Sequence, residues 1–161
     1  MSCGGDFNGD GFDDLVFSAT GVLYTGEVVV VFGHADGFSE SVDLSTLDGT
    51  NGFVMSGIDA HDSLNPASFI GDFNGDGIDD LVLGAGAADQ PGATNAGEAY
   101  IVYGQNSGCG GSLDLTTLDG TNGFTFRGVA SHQHGDRVGS FFLMLVMSLM
   151  MFSLLLHMEI T

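Results

Sequence analysis

The sequence predicts an all-β fold built from a repeated unit, and three observations support this prediction. The chain of 161 residues has 27 glycines but only 2 prolines, its hydrophobic fraction is 43%, and Gly, Asp and Asn bound its short apolar runs. This apolar fraction argues against disorder, and a chain of this length can bury a core. Short apolar runs bounded by turn formers indicate strands, and residues 1–140 show no sustained helical period.

An internal repeat sets the architecture. Residues 26–33 return as residues 97–104, and residues 44–53 return as residues 115–124, in both cases 71 positions later. Two acidic nonapeptides are only 66 positions apart, because the second copy has a longer connection, rich in Gly and Ala, at residues 85–96. An insertion confined to one connection between strands is typical of repeat architectures.

Each copy contains several short predicted strands. They cover residues 15–19, 27–32 and 53–56 in the first copy, and residues 67–70, 81–85, 98–103 and 124–127 in the second. About four strands in a unit of roughly 65–70 residues make a β-propeller blade, whereas a closed propeller needs about four to eight blades. We therefore predict a partial β-propeller of about two four-stranded antiparallel blades.

The repeat boundaries divide the chain into four predicted parts. These are blade one at residues 1–57, blade two at 58–128, the start of a third blade at 129–140 and a Met-rich apolar tail at 141–161. Too little chain precedes Asp6 to form the strand that would enter the first acidic nonapeptide. We therefore expect blade one to be truncated at its N-terminus.

The acidic nonapeptides, residues 6–14 and 72–80, have the pattern of a calcium loop. Asp or Asn oxygens recur at positions 1, 3, 5 and 9 of each, and glycine occupies position 6, where the chain turns sharply. Calcium takes about six to eight oxygens, and the backbone carbonyl at position 7 would add one. An EF-hand needs Glu at position 12, where this chain has Phe17 and Leu83. Turns of Asp, Asn and Gly without a metal are the alternative.

The order of these motifs resembles the FG-GAP repeat. In both copies Asp-Phe-Asn-Gly-Asp-Gly-x-Asp-Asp-Leu-Val precedes Gly-Glu-x-x-x-Val-Phe/Tyr-Gly. The resemblance covers about residues 1–140 and implies blades like those of integrin α-subunit propellers and of bacterial arrays. Such blades are also found in glycosylphosphatidylinositol-specific phospholipase D.

The resemblance also implies one Ca²⁺ in each hairpin loop. The implied ligands are Asp6, Asn8, Asp10, the Phe12 carbonyl and Asp14 in the first loop, and Asp72, Asn74, Asp76, the Ile78 carbonyl and Asp80 in the second. Position 8, occupied by Asp13 and Asp79, is expected to point away from the ion.

The charge balance excludes one class of partner. The chain has 21 acidic residues, two arginines and no lysine, for a net charge of −19. A nucleic-acid surface needs Lys and Arg to neutralise phosphates, so we expect no nucleic-acid partner. Eight of the Asp residues lie in the two nonapeptides, and two bound Ca²⁺ would bring −19 to about −15.

Other sequence signals are weak. No Ser/His/Asp arrangement, phosphate-binding glycine loop or glutamate-pair motif is visible, so we predict no catalytic residues and no enzyme activity. Cys3 and Cys109 occupy non-equivalent places in the repeat, so a disulfide between them does not follow. The N-terminus lacks the features of a signal peptide, which indicates an intracellular protein or a missing N-terminal segment.

The apolar run at residues 141–156 departs from the preceding pattern and has three interpretations. As a helix it would span about 24 Å, short of the roughly 30 Å hydrocarbon core, so it would make a short membrane anchor. It also resembles a third calcium loop read in a shifted frame, because Asp and Phe codons read one base late become Met and Leu codons. A packed apolar segment is the third interpretation.

These observations lead to one functional expectation and two alternatives. We expect a calcium-binding, non-catalytic propeller module for adhesion and recognition of a protein or glycan, at the cell surface or outside the cell. Each blade needs a neighbouring blade, from a longer chain or by self-association. The alternatives are an accessory propeller of a larger hydrolase similar to glycosylphosphatidylinositol phospholipase D, and a truncated product without a function of its own.

Overall fold

Two β-sheets make up the fold of the described residues. The computed structural model of the protein describes residues 2–19, 21–38 and 40–128. The first sheet contains, in spatial order, β1 (Ser2–Gly5), β2 (Asp14–Ala19), β3 (Glu27–Val31), β4 (Gly52–Ser56) and β8 (Ser112–Leu113). The second contains β5 (Leu64–Gly71), β6 (Asp80–Ala85), β7 (Glu98–Val102) and β9 (Gly123–Arg127). Helical residues within the described ranges form single 3-10 turns at Val22–Tyr24, Leu44–Thr46 and Leu115–Thr117.

Each sheet is built on an antiparallel four-stranded meander. The strands β1 to β4 pair antiparallel in chain order, and β5, β6, β7 and β9 do the same. The predicted all-β fold, a partial β-propeller of two blades, is therefore confirmed. The strand predicted at residues 67–70 is longer than expected, since β5 begins at Leu64 and ends at Gly71.

Two strands were not expected from the sequence. The four residues before the first loop do form its entering strand, because β1 pairs with β2 through Ser2↔Val16 and Cys3↔Leu15. The expectation that too little chain precedes Asp6 was wrong. The second addition is β8, in the connection after β7, which crosses to the other sheet and pairs parallel with β4 through Val54↔Ser112. Blade two therefore contributes a strand to the outer edge of blade one.

The central strands are apolar on both sides because both of their sides are covered. Val28, Val29, Val30 and Val31 are all at most 5% exposed in β3, and every residue of β7 is buried. A continuous apolar run, rather than alternation, is typical of a strand buried on both faces.

One apolar core joins the two blades. The strand β5 lies against β1, β2 and β3 of the other blade. The core between them includes Phe7, Phe32 and Phe53, and the Phe7 and Phe53 ring centroids are 5.3 Å apart. At this interface the backbones come so close that a Cβ added to Gly104 would lie 2.9 Å from the Phe7 carbonyl oxygen of the other blade.

The repeated Leu-Asp-Gly-Thr-Asn-Gly segment is a structural turn. The Asp48 carboxylate accepts hydrogen bonds from the Thr50 amide at 2.9 Å and the Thr50 hydroxyl at 2.7 Å. Asp119 and Thr121 repeat both bonds at the same distances. These bonds hold the pKa of each of the two carboxyls below its usual value. These local hydrogen bonds thus explain why the Asp-Gly-Thr spacing recurs in both copies.

Some sequence predictions fall beyond this description. The predicted third blade at residues 129–140 and the tail at 141–161 lie outside the described residues, and so does the Cys3 side chain. Cys109 is a free thiol and is partly buried. Within the described residues no helix is long and apolar enough to cross a membrane.

We predict that Phe53→Ala lowers the free energy of unfolding by about 3–5 kcal/mol, the usual cost of deleting a fully buried phenyl ring. Phe53 is 0% exposed and lies in the core shared by both blades, so both should lose stability in one transition. Urea denaturation followed by circular dichroism measures the change. Leu23→Ala, at a side chain that is 66% exposed, is the control and should change stability by less than about 0.5 kcal/mol. Equal effects of the two substitutions would contradict the prediction.

Candidate metal centre

Both acidic nonapeptides are hairpin loops at equivalent places in the two blades. The first joins β1 to β2 and the second joins β5 to β6, with Gly5↔Asp14 and Gly71↔Asp80 as the last paired residues before each loop. The sequence placed the two loops in register, and the structure puts them on the same pair of strands in each blade. Each loop therefore begins and ends at fixed strand positions.

Position 1 organises the turn of each loop. The Asp6 carboxylate accepts hydrogen bonds from the Asp10 amide at 3.0 Å and the Gly11 amide at 2.8 Å. The Asp72 carboxylate does the same for Gly75, Asp76 and Gly77 at 2.7–2.9 Å. A carboxylate that accepts several backbone N–H groups holds a short loop closed around itself.

Positions 3 and 5 continue this pattern. Asn8 Oδ1 accepts from the Asp10 amide at 3.1 Å, and Asp10 Oδ1 accepts from the Phe12 amide at 2.9 Å. Asn74 and Asp76 make the same two bonds in the second loop, both at 2.9 Å. The residue at position 7, Phe12 or Ile78, thus donates its amide N–H to the carboxylate at position 5.

Position 9 ties three segments of the backbone together. Asp14 is 0% exposed, and its carboxylate accepts from the Phe7 amide at 2.9 Å and from the Gly33 amide, beyond β3, at 2.8 Å. Asp80 is equally buried and accepts from the Phe73 and Gly104 amides, both at 2.9 Å. The residue is therefore a structural link in each blade, a role that its spacing alone did not reveal.

Burial changes the acidity of these two carboxyls. Removal from water raises the pKa of Asp14 to about 6, although the Gly33 and Phe7 amides oppose the shift. The pKa of Asp80 is raised for the same reason, against its own backbone hydrogen bonds. A nearby cation would favour the charged form of both residues.

Position 8 behaves differently in the two loops. Asp13 is exposed. Asp79 is half-buried, its carboxylate accepts from the Asp6 amide at 3.1 Å, and its own amide donates to the Asp6 carbonyl at 3.1 Å. Asp79 is therefore a contact between the loops of adjacent blades.

The donors of both loops fit Ca²⁺ in chemistry. They are hard oxygens, and a carboxylate has about four lone-pair sites, so one that accepts two or three N–H groups keeps a site for a cation. Within the described residues, however, no group of three or more His, Cys, Asp or Glu side chains lies so as to hold a metal ion. Ion binding would therefore require the loop side chains to come closer together.

A second polar cluster, centred on Glu98, was not singled out in the sequence. Glu98 is 7% exposed and accepts hydrogen bonds from the Tyr100 hydroxyl, from Arg127 Nε at 3.1 Å and from Gln90 Nε2 at 2.6 Å. The only feature of the sequence that pointed to this cluster was the Gly-Glu pair at the start of each repeated strand. The cluster joins β7, β9 and the long connection of blade two.

Comparisons with known proteins agree with this arrangement. The family model described as "FG-GAP repeat" matches residues 2–31 and 67–102. Similar curated proteins are phosphatidylinositol-glycan-specific phospholipases D. The one from Bos taurus is 31% identical over 64% of this chain, the one from Homo sapiens 32% over 64%, and the one from Dictyostelium discoideum 26% over 84%. The chain spans only 13–15% of the length of these relatives.

We predict that the protein in EDTA loses stability as the pH rises from about 4 to about 6. The pKa of Asp14 is about 6 in the folded state against 3.8 otherwise. Between these values the folded state binds more protons than the unfolded state, so the free energy of unfolding falls with rising pH and then levels off. Urea denaturation at a series of pH values measures this slope.

Asp14→Asn is the matched variant for this measurement. Its amide cannot titrate, so the slope between about pH 4 and 6 should become shallower. The variant should be less stable than the wild type near pH 4, because one of the two backbone amides loses its acceptor, and this difference should shrink as the pH rises to about 6. Identical slopes in the two proteins would contradict the role assigned to Asp14.

Proposed function

Because residues 2–31 and 67–102 are FG-GAP repeats in adjacent blades of a partial β-propeller, we propose that the chain is a calcium-stabilised, non-catalytic recognition module. Its partner would be a protein or glycan, and its place the cell surface or the extracellular space. The observation that carries the proposal is the pair of equivalent hairpin loops, with the same oxygen donors at the same positions and nearly the same hydrogen bonds.

Calcium would act on stability. Extracellular calcium modules bind with a Kd of about 10⁻⁴–10⁻³ M, so about 1 mM Ca²⁺ would stabilise the fold by about 0.4–1.4 kcal/mol per site. Asp6, Asn8, Asp10, the Phe12 carbonyl and Asp14 would hold the first ion. The equivalent groups of the second loop, from Asp72 to Asp80, would hold the second. The ions would also neutralise part of a net charge of −19.

Three of the buried carboxylates support a structural rather than a catalytic role. Asp14 and Asp80 each use both carboxylate oxygens to hold backbone amides. Glu98 is engaged by Tyr100 and by the guanidinium of Arg127. Groups occupied in this way are poorly placed to exchange protons with a substrate.

A second candidate function follows from the relatives. Their name describes a phospholipase acting on phosphatidylinositol-glycan, and the match covers only a small share of their length. The two blades would then be part of an accessory propeller of a larger hydrolase, and would bind or orient a substrate that another domain cleaves.

We predict that calorimetric titration with Ca²⁺ detects two weak sites, and that Asp76→Ala abolishes the second site alone. Asp76 is at position 5 of the second loop and contributes a carboxylate oxygen that no other residue there replaces. The double variant Asp72→Ala/Asp76→Ala should keep only the first site.

Asp36→Ala is the control for this titration, because it removes one exposed carboxylate outside both loops. It should keep both sites, whereas a loss of heat equal to that of Asp76→Ala would indicate only diffuse charge attraction. Heat of unchanged magnitude in the double variant would overturn the assignment of the second site.

A further inference from the structure

Part of the interface between the blades is encoded twice in the sequence but is formed once within the described residues. Counterparts in the other copy exist for Phe7, 66 positions away, and for Phe32, Phe53 and Leu115, each 71 positions away. Phe7 is 0% exposed in the core between the blades, whereas its counterpart Phe73 is 56% exposed. Leu115 is 3% exposed in the same core, whereas its counterpart Leu44 is 40% exposed. The differences between counterparts mark surfaces that a further blade would cover.

The outer side of blade two carries an aromatic rim, which we call the trailing face: Phe73, Tyr103 and Phe124. The ring centroids of Phe73 and Tyr103 are each 6.2 Å from that of Phe124. Their counterparts make the matching contacts in the core between the blades, where all three are at most 5% exposed. Those counterparts are Phe7, Phe32 and Phe53. Val82 and Ile101 lie behind the rim and are already buried. A partner would therefore contact the rim residues.

The outer side of blade one carries the complementary surface, which we call the leading face: Phe38, Val42 and Leu44. They are 48%, 42% and 40% exposed, respectively. Their counterparts in blade two pack against the core between the blades. Those counterparts are Cys109, Leu113 and Leu115.

The backbone contacts of the interface also have counterparts on these faces. The Asp79 amide donates to the Asp6 carbonyl at 3.1 Å, and the Gln105 amide donates to the Phe7 carbonyl at 2.9 Å. The corresponding donors and acceptors on the outer faces are the Asp13 and His34 amides and the Asp72 and Phe73 carbonyls, respectively.

We propose that the trailing face of one copy docks on the leading face of a second copy, head to tail, and repeats the contact that joins blade one to blade two. One such contact covers both apolar surfaces, because the residues of each are counterparts of residues in an interface already present in the chain. The contact is heterologous, so assembly continues until a ring closes or a chain of copies ends. It depends on the blade repeat and not on the proposed recognition role.

Charge sets the conditions for this association. Two copies with a net charge of −19 repel each other at long range, and salt screens this repulsion beyond about 8 Å at physiological ionic strength. Association should therefore strengthen as salt is added, as expected for an apolar contact between acidic proteins.

Sedimentation of the full chain at physiological ionic strength tests the proposal. The wild-type protein should show masses above the 16.6 kDa of one chain, rising with concentration. Leu44→Glu on the leading face and Phe73→Glu on the trailing face should each give monomers with an unchanged far-ultraviolet circular dichroism spectrum. The control Leu23→Glu changes a side chain that is 66% exposed and outside both faces, and it should associate like the wild type.

Mixing the two variants separates this arrangement from others. Leu44→Glu keeps an intact trailing face and Phe73→Glu an intact leading face, so an equimolar mixture should form a dimer of twice 16.6 kDa and nothing larger. A mixture that stays monomeric would overturn the proposal. So would a wild-type chain that is monomeric at every concentration, as expected if residues 129–161 of the same chain cover the trailing face. Assemblies that survive both substitutions would place the contact elsewhere and would also overturn it.

Discussion

The hydrogen bonds of one buried carboxylate hold each blade in register. Asp14 joins the start of β2 to the first loop and to the end of β3 by accepting the amides of Phe7 and Gly33, and Asp80 does the same in blade two. A buried charge without such partners would cost several kcal/mol. The strands on either side, the loop between them and the next turn therefore depend on a single side chain. Because its pKa is raised by burial, this link is also a place where proton binding acts on the fold.

The repeat allowed the fold to be predicted from the sequence, but it did not reveal the contacts between the blades. Regular spacing of apolar runs located seven strands, and the oxygen pattern located both loops. The entering strand β1 was missed because Ser2–Gly5 has little strand character of its own and is fixed by pairing with β2. The two-residue strand β8 was not predicted because it lies in a polar connection. It becomes a strand only by pairing with the edge of β4.

In the loops, likewise, some features depend on residues nearby in the chain and others on residues of another blade. The turns at positions 1, 3 and 5 follow from nearest neighbours in the chain and recur almost unchanged in both copies. Within the described residues, Asp79 and Asp13 share a position but not an environment, because Asp79 has another blade's loop beside it and Asp13 does not. Likewise, Glu98 acquires its partners from Arg127 and Gln90, and Glu27 at the equivalent place lies opposite Ser56 instead. Identical motifs thus acquire different roles from their position in the array.

The parallel pairing of β8 with β4 has a consequence for synthesis on the ribosome. Blade one completes its own four strands at Ser56, but the strand that protects its outer edge begins only at Ser112. During translation, which adds about 5–20 residues per second, that edge stays open for several seconds. An open strand edge is a template for pairing with other chains. Synthesis of this protein therefore passes through a stage in which blade one depends on a strand of blade two to protect its edge from other nascent chains on the same polysome.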